Sequence, residues 1–190
     1  DAELFQPMAP LRQLPWGRER TERPVLMYVG RVAVEKNIAA FLELPYAADK
    51  VVVGDGPALA ALRQAHPEVV WTGFLAGDSL ARTVAQADCV VFPSRTDTFG
   101  LVMLEAMACG ALVVGSATPP LQEVIRHGEN GWLVDFFDTE GLAQRIASVL
   151  ADPQAQQALR LEARATAVQG YDLQSVCLPS QLSLVDCLLQ

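Results

Sequence analysis

From Pro24 onward, short apolar runs alternate with stretches of helical periodicity, and this alternation restricts the fold more than any other feature. The predicted strands are Val25–Val29, Lys50–Val53, Val69–Trp71, Cys89–Phe92, Leu112–Val114 and Trp132–Val134. The predicted helices between them are Asn37–Leu44, Ala58–Ala65, Asp78–Ala87, Leu101–Ala108 and Pro120–His127. Strands that alternate with helices are typical of βαβ units, whose parallel strands form a sheet covered on both faces. The pattern therefore predicts a doubly wound α/β domain with a parallel sheet.

The two ends of the chain differ from this central part. Residues 1–23 are rich in Pro, Arg and Glu without steady periodicity, which predicts a linker or arm. Because the chain opens on Asp1, we expect it to derive from a longer protein. Residues 24–152 form the predicted central domain, and residues 153–190 a C-terminal helical tail. In the last helix, four residues at helical spacing predict an apolar stripe: Leu178, Leu182, Val185 and Leu189.

Composition excludes several classes of function. The net charge is -8 without a cluster of Lys or Arg, which argues against a nucleic-acid partner. No apolar run approaches the length of about 18 residues that spans a bilayer. The four cysteines lack metal-ligand spacing and lie in apolar sequence, so we expect buried free thiols in a reducing compartment. Paired disulfides or a metal site are the alternatives for these cysteines.

The polar turns after the predicted strands are the candidate walls of a binding site, because ligands of open parallel sheets bind beyond the carboxyl ends of the strands. The first turn carries Arg31 and Lys36, which could converge on a diphosphate or could be solvated surface cations. The second turn contains Gly54, Asp55 and Gly56, either close to a ligand or forming a tight strand-to-helix connection. The third is Gly73-Phe74, whose ring could line a base pocket or belong to the core.

The turn after the fourth strand has the most specific chemistry. Asp97 and Glu105 stand eight positions apart, and the turn between them, Thr98-Phe99-Gly100-Leu101, leads into a helix. A helix start presents unpaired N–H groups to a phosphate, whereas a carboxylate suits a sugar hydroxyl. Glu105 falls beside an apolar helix face, an uncommon place for an unpaired charge. The alternative to a binding site is that Asp97 is an ordinary turn residue and Glu105 a solvated helix residue.

Five motifs together resemble the retaining glycosyltransferases of family 4, the "group 1" transferases. They are GRVAVEKN, VVVGDGP, WTGFL, FPSRTDTFGLVMLEAMACG and LQEVIRHGENGWLVDFFDTEGLAQRIASVL, in unbroken order over about residues 1–152. The family has a GT-B architecture, in which two Rossmann-like domains face each other across a cleft. The chain resembles the C-terminal, nucleotide-sugar-binding domain of this architecture, and we expect that domain to be inactive in isolation.

The resemblance also implies roles for individual residues. Arg31 and Lys36 match the basic pair that holds the donor diphosphate. Glu105 matches the second acid of the E-x7-E motif, which binds ribose hydroxyls, and Asp97 replaces the first acid, near the donor sugar. Other matched positions line the sugar, phosphate, ribose or base: Gly54, Asp55, Gly56, Gly73, Thr98, Phe99, Gly100 and Leu101. Asp97 is one methylene shorter than the commoner Glu.

The implied reaction transfers a hexose from a UDP- or GDP-sugar to a lipid or saccharide acceptor, which the missing N-terminal domain would hold. The expected setting is cytoplasmic, with no metal and no cofactor besides the nucleotide-sugar. A cytoplasmic full-length enzyme could associate peripherally with the inner face of the membrane. The apolar stripe of the tail could also mediate dimerisation. Two alternatives stay open: a non-catalytic nucleotide-binding or assembly module, and a fragment of a GT-B-like sugar-nucleotide epimerase.

Overall fold

A computed structural model describes residues 1–94, 96, 100–135 and 137–189, and all structural statements refer to these residues. The chain forms one six-stranded parallel sheet. Its strands are β1 (Val25–Val29), β2 (Asp49–Val53), β3 (Val70–Gly73), β4 (Cys89–Phe92), β5 (Leu112–Ser116) and β6 (Trp132–Val134). Each predicted strand is confirmed to within two residues at either end. β-branched residues dominate these runs, as expected for strands buried on both faces.

Eight α-helices connect or follow the strands. They are α1 (Ile38–Leu42), α2 (Leu59–Ala65), α3 (Gly77–Val84), α4 (Leu101–Ala108), α5 (Pro119–Val124), α6 (Thr139–Leu150), α7 (Pro153–Tyr171) and α8 (Leu178–Leu188). A 3₁₀ turn, Val34–Lys36, precedes α1, and a π-helical segment, Leu173–Cys177, precedes α8. The predicted doubly wound α/β architecture with a helical tail is therefore confirmed.

The strand order is β3-β2-β1-β4-β5-β6, so the direction of winding reverses between β1 and β4. Apolar side chains fill the space on both faces of the sheet, in two clusters. One packs α3, α4, α5 and α7 against side chains such as Met27 and Val90, and the other packs α1 and α6 against side chains such as Leu26 and Val91. In open sheets of this kind, the crevice at the reversal point is where ligands bind.

Several predicted helix boundaries were wrong. Helix α3 ends at Val84 rather than Ala87, and α5 ends at Val124 rather than His127. The first helix does not begin at Asn37, because Asn37 has the left-handed backbone conformation (φ 51°) and separates the 3₁₀ turn from α1. Helix α3 begins at Gly77, one residue before the predicted Asp78, and its capping position is Ala76. Each of these two helix starts therefore differs from the predicted one by one residue.

Helix α7 and the N-terminal arm are held to the sheet by a cluster of charges around Asp88. The Asp88 carboxylate accepts hydrogen bonds from the Val25 backbone N–H (2.8 Å) and from the Arg20 guanidinium (2.9 Å). Arg160, on α7, donates to the Asp88 and Gly110 carbonyls, each at 2.8 Å. Burial lowers the pKa of Arg160, and the nearby Asp88 partly offsets this shift. The arm and α7 are thus fixed at the amino end of β1 and β4, opposite the reversal-point crevice.

Helix α8 packs mainly on the π-helical segment, and none of its residues is buried. The predicted stripe is exposed: Leu182 is 65% exposed and Leu189 is 81% exposed. Dimerisation through this stripe stays a prediction. All four cysteines are free, but only Cys89 and Cys109 are buried, so the expectation of burial was wrong for Cys177 and Cys187. No helix in the described part of the chain is long and apolar enough to cross a membrane.

Candidate functional site at the sheet reversal point

A cleft of about 510 Å³ lies at the carboxyl ends of β1 and β4, where the strand order reverses. Several parts of the chain line it, including the end of β1 and Leu121 of α5. The loop after β1 contributes Gly30, Arg31 and Lys36; β4 contributes Phe92, with Ser94 just beyond it; and the start of α4 contributes Gly100 to Met103. The predicted cationic pair and the predicted helix start therefore face one space.

The loop after β1 is held by hydrogen bonds that leave its two cations at the cleft. The Tyr28 hydroxyl donates to the Arg31 carbonyl (2.8 Å), and the Val32 N–H donates to the Asp55 carbonyl (2.9 Å). The Arg31 side chain is exposed, with its guanidinium 3.4 Å from the Glu35 carboxylate. An exposed ion pair of this kind contributes about 0–1 kcal/mol, so an anionic ligand can displace it.

The start of α4 offers backbone donors to the same cleft. Gly100 is the N-terminal capping residue in a left-handed conformation (φ 75°), and no side chain of the described residues caps the helix. Its carbonyl accepts from the Met103 and Leu104 N–H groups, which leaves the preceding N–H groups outside the helical ladder. Such groups, together with the helix dipole, stabilise a negative charge.

A second, more apolar cavity of about 290 Å³ adjoins the cleft and shares Val29, Gly30, Arg31 and Val102 with it. Gly54, Asp55, Phe74 and Leu75 complete its wall. Phe74 is 76% exposed, which rules out the interpretation of its ring as part of the core. An exposed aromatic ring above an apolar floor suits a planar base.

Gly54 and Gly56 are required by contacts within the chain. A Cβ atom on Gly54 would lie 1.9 Å from the Gly30 carbonyl oxygen, and one on Gly56 would lie 2.3 Å from the Val32 carbonyl oxygen. The two loops after β1 and β2 therefore touch backbone to backbone. The close approach of these two loops is sufficient to explain why glycine occupies both positions. A direct contact of Gly54 or Gly56 with a ligand stays a prediction.

Glu105 lies one helical turn further along α4, beside a shallow neighbouring pocket. That pocket is lined by Leu101, Leu104 and Ala108, as the helical spacing predicted, and by Asp1 and Ala2 of the arm. The carboxylate is half-buried and has no hydrogen-bond or ion-pair partner in the described part of the chain. Burial raises the pKa of Glu105, and the chain's amino terminus partly offsets the shift. Leu101 lines both this pocket and the cleft, so Glu105 flanks the cleft without lining it.

The raised pKa of Glu105 predicts a pH-dependent cost in stability. Between the ordinary value of 4.5 and the higher folded value, the folded state binds more protons, so the free energy of unfolding falls as pH rises through that window. We expect Glu105→Gln to abolish this fall and to be more stable than the native chain at neutral pH without nucleotide. Urea unfolding across this pH range measures the effect, with the exposed Glu22→Gln as the matched control. A Glu105→Gln chain that is less stable at neutral pH would contradict this assignment.

The structure does not bring every predicted site residue to these cavities. Asp97, Thr98 and Phe99 lie outside the described residues, so their roles stay predictions. Gly56 and Gly73 line neither cavity. Tyr28, Ser94 and Val102 line these cavities, although they were not predicted as site residues. Of the three, only Tyr28 had a sequence signal, because a tyrosine near the end of a buried strand can place its hydroxyl at the carboxyl edge of the sheet. The described residues contain no group of three metal-ligating side chains.

The family model described as "Glycosyl transferases group 1" matches residues 23–152. A sulfoquinovosyl transferase from Arabidopsis thaliana is 30% identical over 175 residues, which cover 86% of this chain and 34% of that protein. The chain thus spans about a third of the length of this curated relative.

Two solved structures are similar over most of the chain. A sucrose-phosphate synthase from Thermosynechococcus elongatus superposes with a TM-score of 0.83 and 28% identity, over 100% of this chain and 51% of that one. Anabaena HepE in complex with UDP-glucose superposes with a TM-score of 0.75 and 25% identity, over 87% of this chain and 49% of that one. In both cases the chain corresponds to about half of the solved structure.

Proposed function

The chain belongs to the group 1 glycosyl transferases, and from this membership we propose that it binds the nucleotide-sugar donor of a glycosyltransferase. One observation carries the proposal: Arg31, Lys36 and the start of α4 line a single cleft at the reversal point of the sheet. Cations and backbone donors around one space suit a diphosphate, and the adjoining apolar cavity under Phe74 suits the base.

The proposed chemistry is electrostatic. When the bond between the anomeric carbon of the sugar and the diphosphate oxygen breaks, the electron pair stays with the nucleoside diphosphate. Arg31, Lys36 and the α4 N–H groups stabilise this developing charge. The oxygen of an acceptor hydroxyl forms the new bond to the anomeric carbon, and its proton passes to the departing diphosphate. None of these protein groups acts as a nucleophile.

The two acids have separate roles in the proposal. Glu105 binds the ribose hydroxyls, because its carboxylate is half-buried beside the cleft and lacks a partner among the described residues. Hydrogen bonds from hydroxyls to an ionised carboxylate would compensate for the cost of burying it. Asp97 is assigned to the donor sugar from its sequence position alone.

The finer assignments rest on the sequence motifs. We propose membership of family 4, retention of configuration at the anomeric carbon, and a UDP- or GDP-hexose as donor. UDP is favoured by the HepE complex, which is titled as containing UDP-glucose. A lipid or saccharide acceptor would be held by a second domain, without which the chain is inactive. We propose no metal for the reaction and a cytoplasmic setting.

A thermal-shift panel of UDP, GDP and ADP with their hexose conjugates tests the donor proposal. We expect UDP or GDP to raise the unfolding temperature of the chain, because a ligand that binds only the folded state stabilises it by mass action. ADP serves as the nucleotide control. Absence of stabilisation by every nucleotide at millimolar concentration would contradict donor binding and favour the assembly-module alternative.

A further inference from the structure

A third cavity lies outside the donor site, at the free edge of the sheet. It has a volume of about 820 Å³ and is enclosed by β3, α3 and the turn of the arm around Trp16. Its volume is in the range of small-molecule sites, about 300–1,000 Å³. It shares Leu75 with the cavity under Phe74 but opens along the β3 edge.

Two of the three tryptophans of the chain line this edge cavity. Trp16 packs against the apolar cluster on the α3 face of the sheet, and Trp71 packs against the cluster on the opposite face. The Trp71 indole N–H donates to the His66 carbonyl (3.1 Å), which fixes its ring. Both side chains are half-buried, so part of each is accessible to a ligand.

The polar groups of the edge cavity have unused hydrogen-bonding capacity. Thr83 is only 2% exposed, and its hydroxyl has no hydrogen-bond partner among the residues that the structure describes. Asp78 and Arg82 lie four positions apart on α3, and within the described chain neither side chain has an ion-pair partner. The Thr83 hydroxyl is accessible at the cavity wall, where a hydroxyl of a ligand can take the place of water as its hydrogen-bond partner.

These features fit a saccharide better than an apolar or a purely ionic ligand. The C–H faces of pyranose rings pack on indole rings, whose faces carry partial negative charge. Vicinal sugar hydroxyls can donate to a carboxylate and accept from a guanidinium at the same time. Both tryptophans line one cavity, and its volume of about 820 Å³ lies near the upper end of the range for small-molecule sites. A ligand that fills it and contacts both rings therefore contains more than one sugar ring.

We propose that the edge cavity binds an oligosaccharide of at least two sugar units, independently of the donor cleft. Trp16 and Trp71 stack on sugar rings, and Asp78, Arg82 and Thr83 bind sugar hydroxyls. This site goes beyond the proposed donor function, because neither binding event requires the other.

Titration with maltotriose, mannotriose and triacetylchitotriose, followed by amide chemical shifts and tryptophan fluorescence, tests the proposal. We expect at least one trisaccharide to shift the amides of Trp71, Arg82 and Thr83 at millimolar concentration, and glucose to bind at least tenfold more weakly. Trp16→Ala should weaken trisaccharide binding about tenfold, which equals about 1.4 kcal/mol. Trp16→Phe should retain most of the affinity because it keeps an aromatic face.

Two further variants keep the test decisive. If Trp16→Ala does not fold, a double variant with Asp78→Ala and Arg82→Met takes its place. Both of these residues are exposed, and their replacement should likewise weaken trisaccharide binding. Lys36→Met should leave trisaccharide binding unchanged while it weakens nucleotide binding, so failure of one site is distinguishable from failure of the other. The proposal is overturned if no trisaccharide shifts these amides, if the shifts map to the donor cleft, or if the folded Trp16→Ala variant or the folded Asp78→Ala/Arg82→Met variant binds like the native chain.

Discussion

Replacing Lys36 with methionine should weaken the binding of UDP or GDP by about 10- to 150-fold. This range corresponds to the loss of one charge-assisted hydrogen bond, about 1.5–3 kcal/mol. Methionine keeps the length and apolar stem of the side chain, so the change isolates the charge at the cleft. Isothermal titration calorimetry of the native and variant chains measures the difference.

Arg31→Met should likewise weaken the binding of UDP or GDP, and its loss is reduced because Arg31 must leave Glu35 before it binds a phosphate. The exposed Arg63 on α2 provides the matched control: Arg63→Met removes one positive charge away from the cleft and should leave affinity within about twofold, since charges beyond about 10 Å are screened by salt. Equal losses in Lys36→Met and Arg63→Met would show that only net charge matters and would contradict a specific diphosphate site.

The largest expected effect on stability comes from Gly54→Ala. The added Cβ would overlap the Gly30 carbonyl oxygen at 1.9 Å, and Gly54 has a φ of 142° that other residues rarely adopt. Because the obstacle is backbone, the relief must separate the loops after β1 and β2, which are joined by the Gly30 N–H to Val53 carbonyl hydrogen bond (2.9 Å). We expect a loss of about 3–5 kcal/mol, a large part of the stability of a typical domain.

Urea unfolding of Gly54→Ala measures this loss, and Gly170→Ala is its control. Gly170 lies in α7 with no atom within 4 Å of the added Cβ, so alanine there should stabilise the chain by up to about 1 kcal/mol. A Gly54→Ala chain within about 1 kcal/mol of the native stability would mean that the loops are not in the close contact described.

The sequence predicted the strands well because each one is a short β-branched run bounded by polar turns. Helix starts were less predictable. Asn37 fits a helical pattern, yet it ends the 3₁₀ turn that carries Lys36 in a left-handed conformation, which asparagine adopts more readily than most residues. The order of the strands also required the structure, since alternation alone is compatible with several crossover schemes.

Part of the site could be predicted from one topological rule. Arg31, Lys36 and Gly100 all follow parallel strands, so their meeting at the carboxyl edge was expected. Glu105 was predicted as a site residue, but its place in a neighbouring pocket rather than in the cleft was not, because it depends on how α4 packs against the arm. The edge cavity was equally unforeseen, since it forms only when Trp16 packs near β3, more than 50 residues later in the chain.

The most direct test of the account is a map of backbone amide chemical shifts of the chain on titration with UDP and GDP. We expect the largest chemical-shift changes in three segments of the chain. They are Gly30 to Lys36; Gly54, Asp55, Phe74 and Leu75; and Gly100 to Glu105. These are the residues of the cleft, the adjoining cavity and the first turns of α4. Changes confined to other surfaces, or saturable binding without changes in these segments, would contradict a nucleotide-sugar site at the reversal point of the sheet.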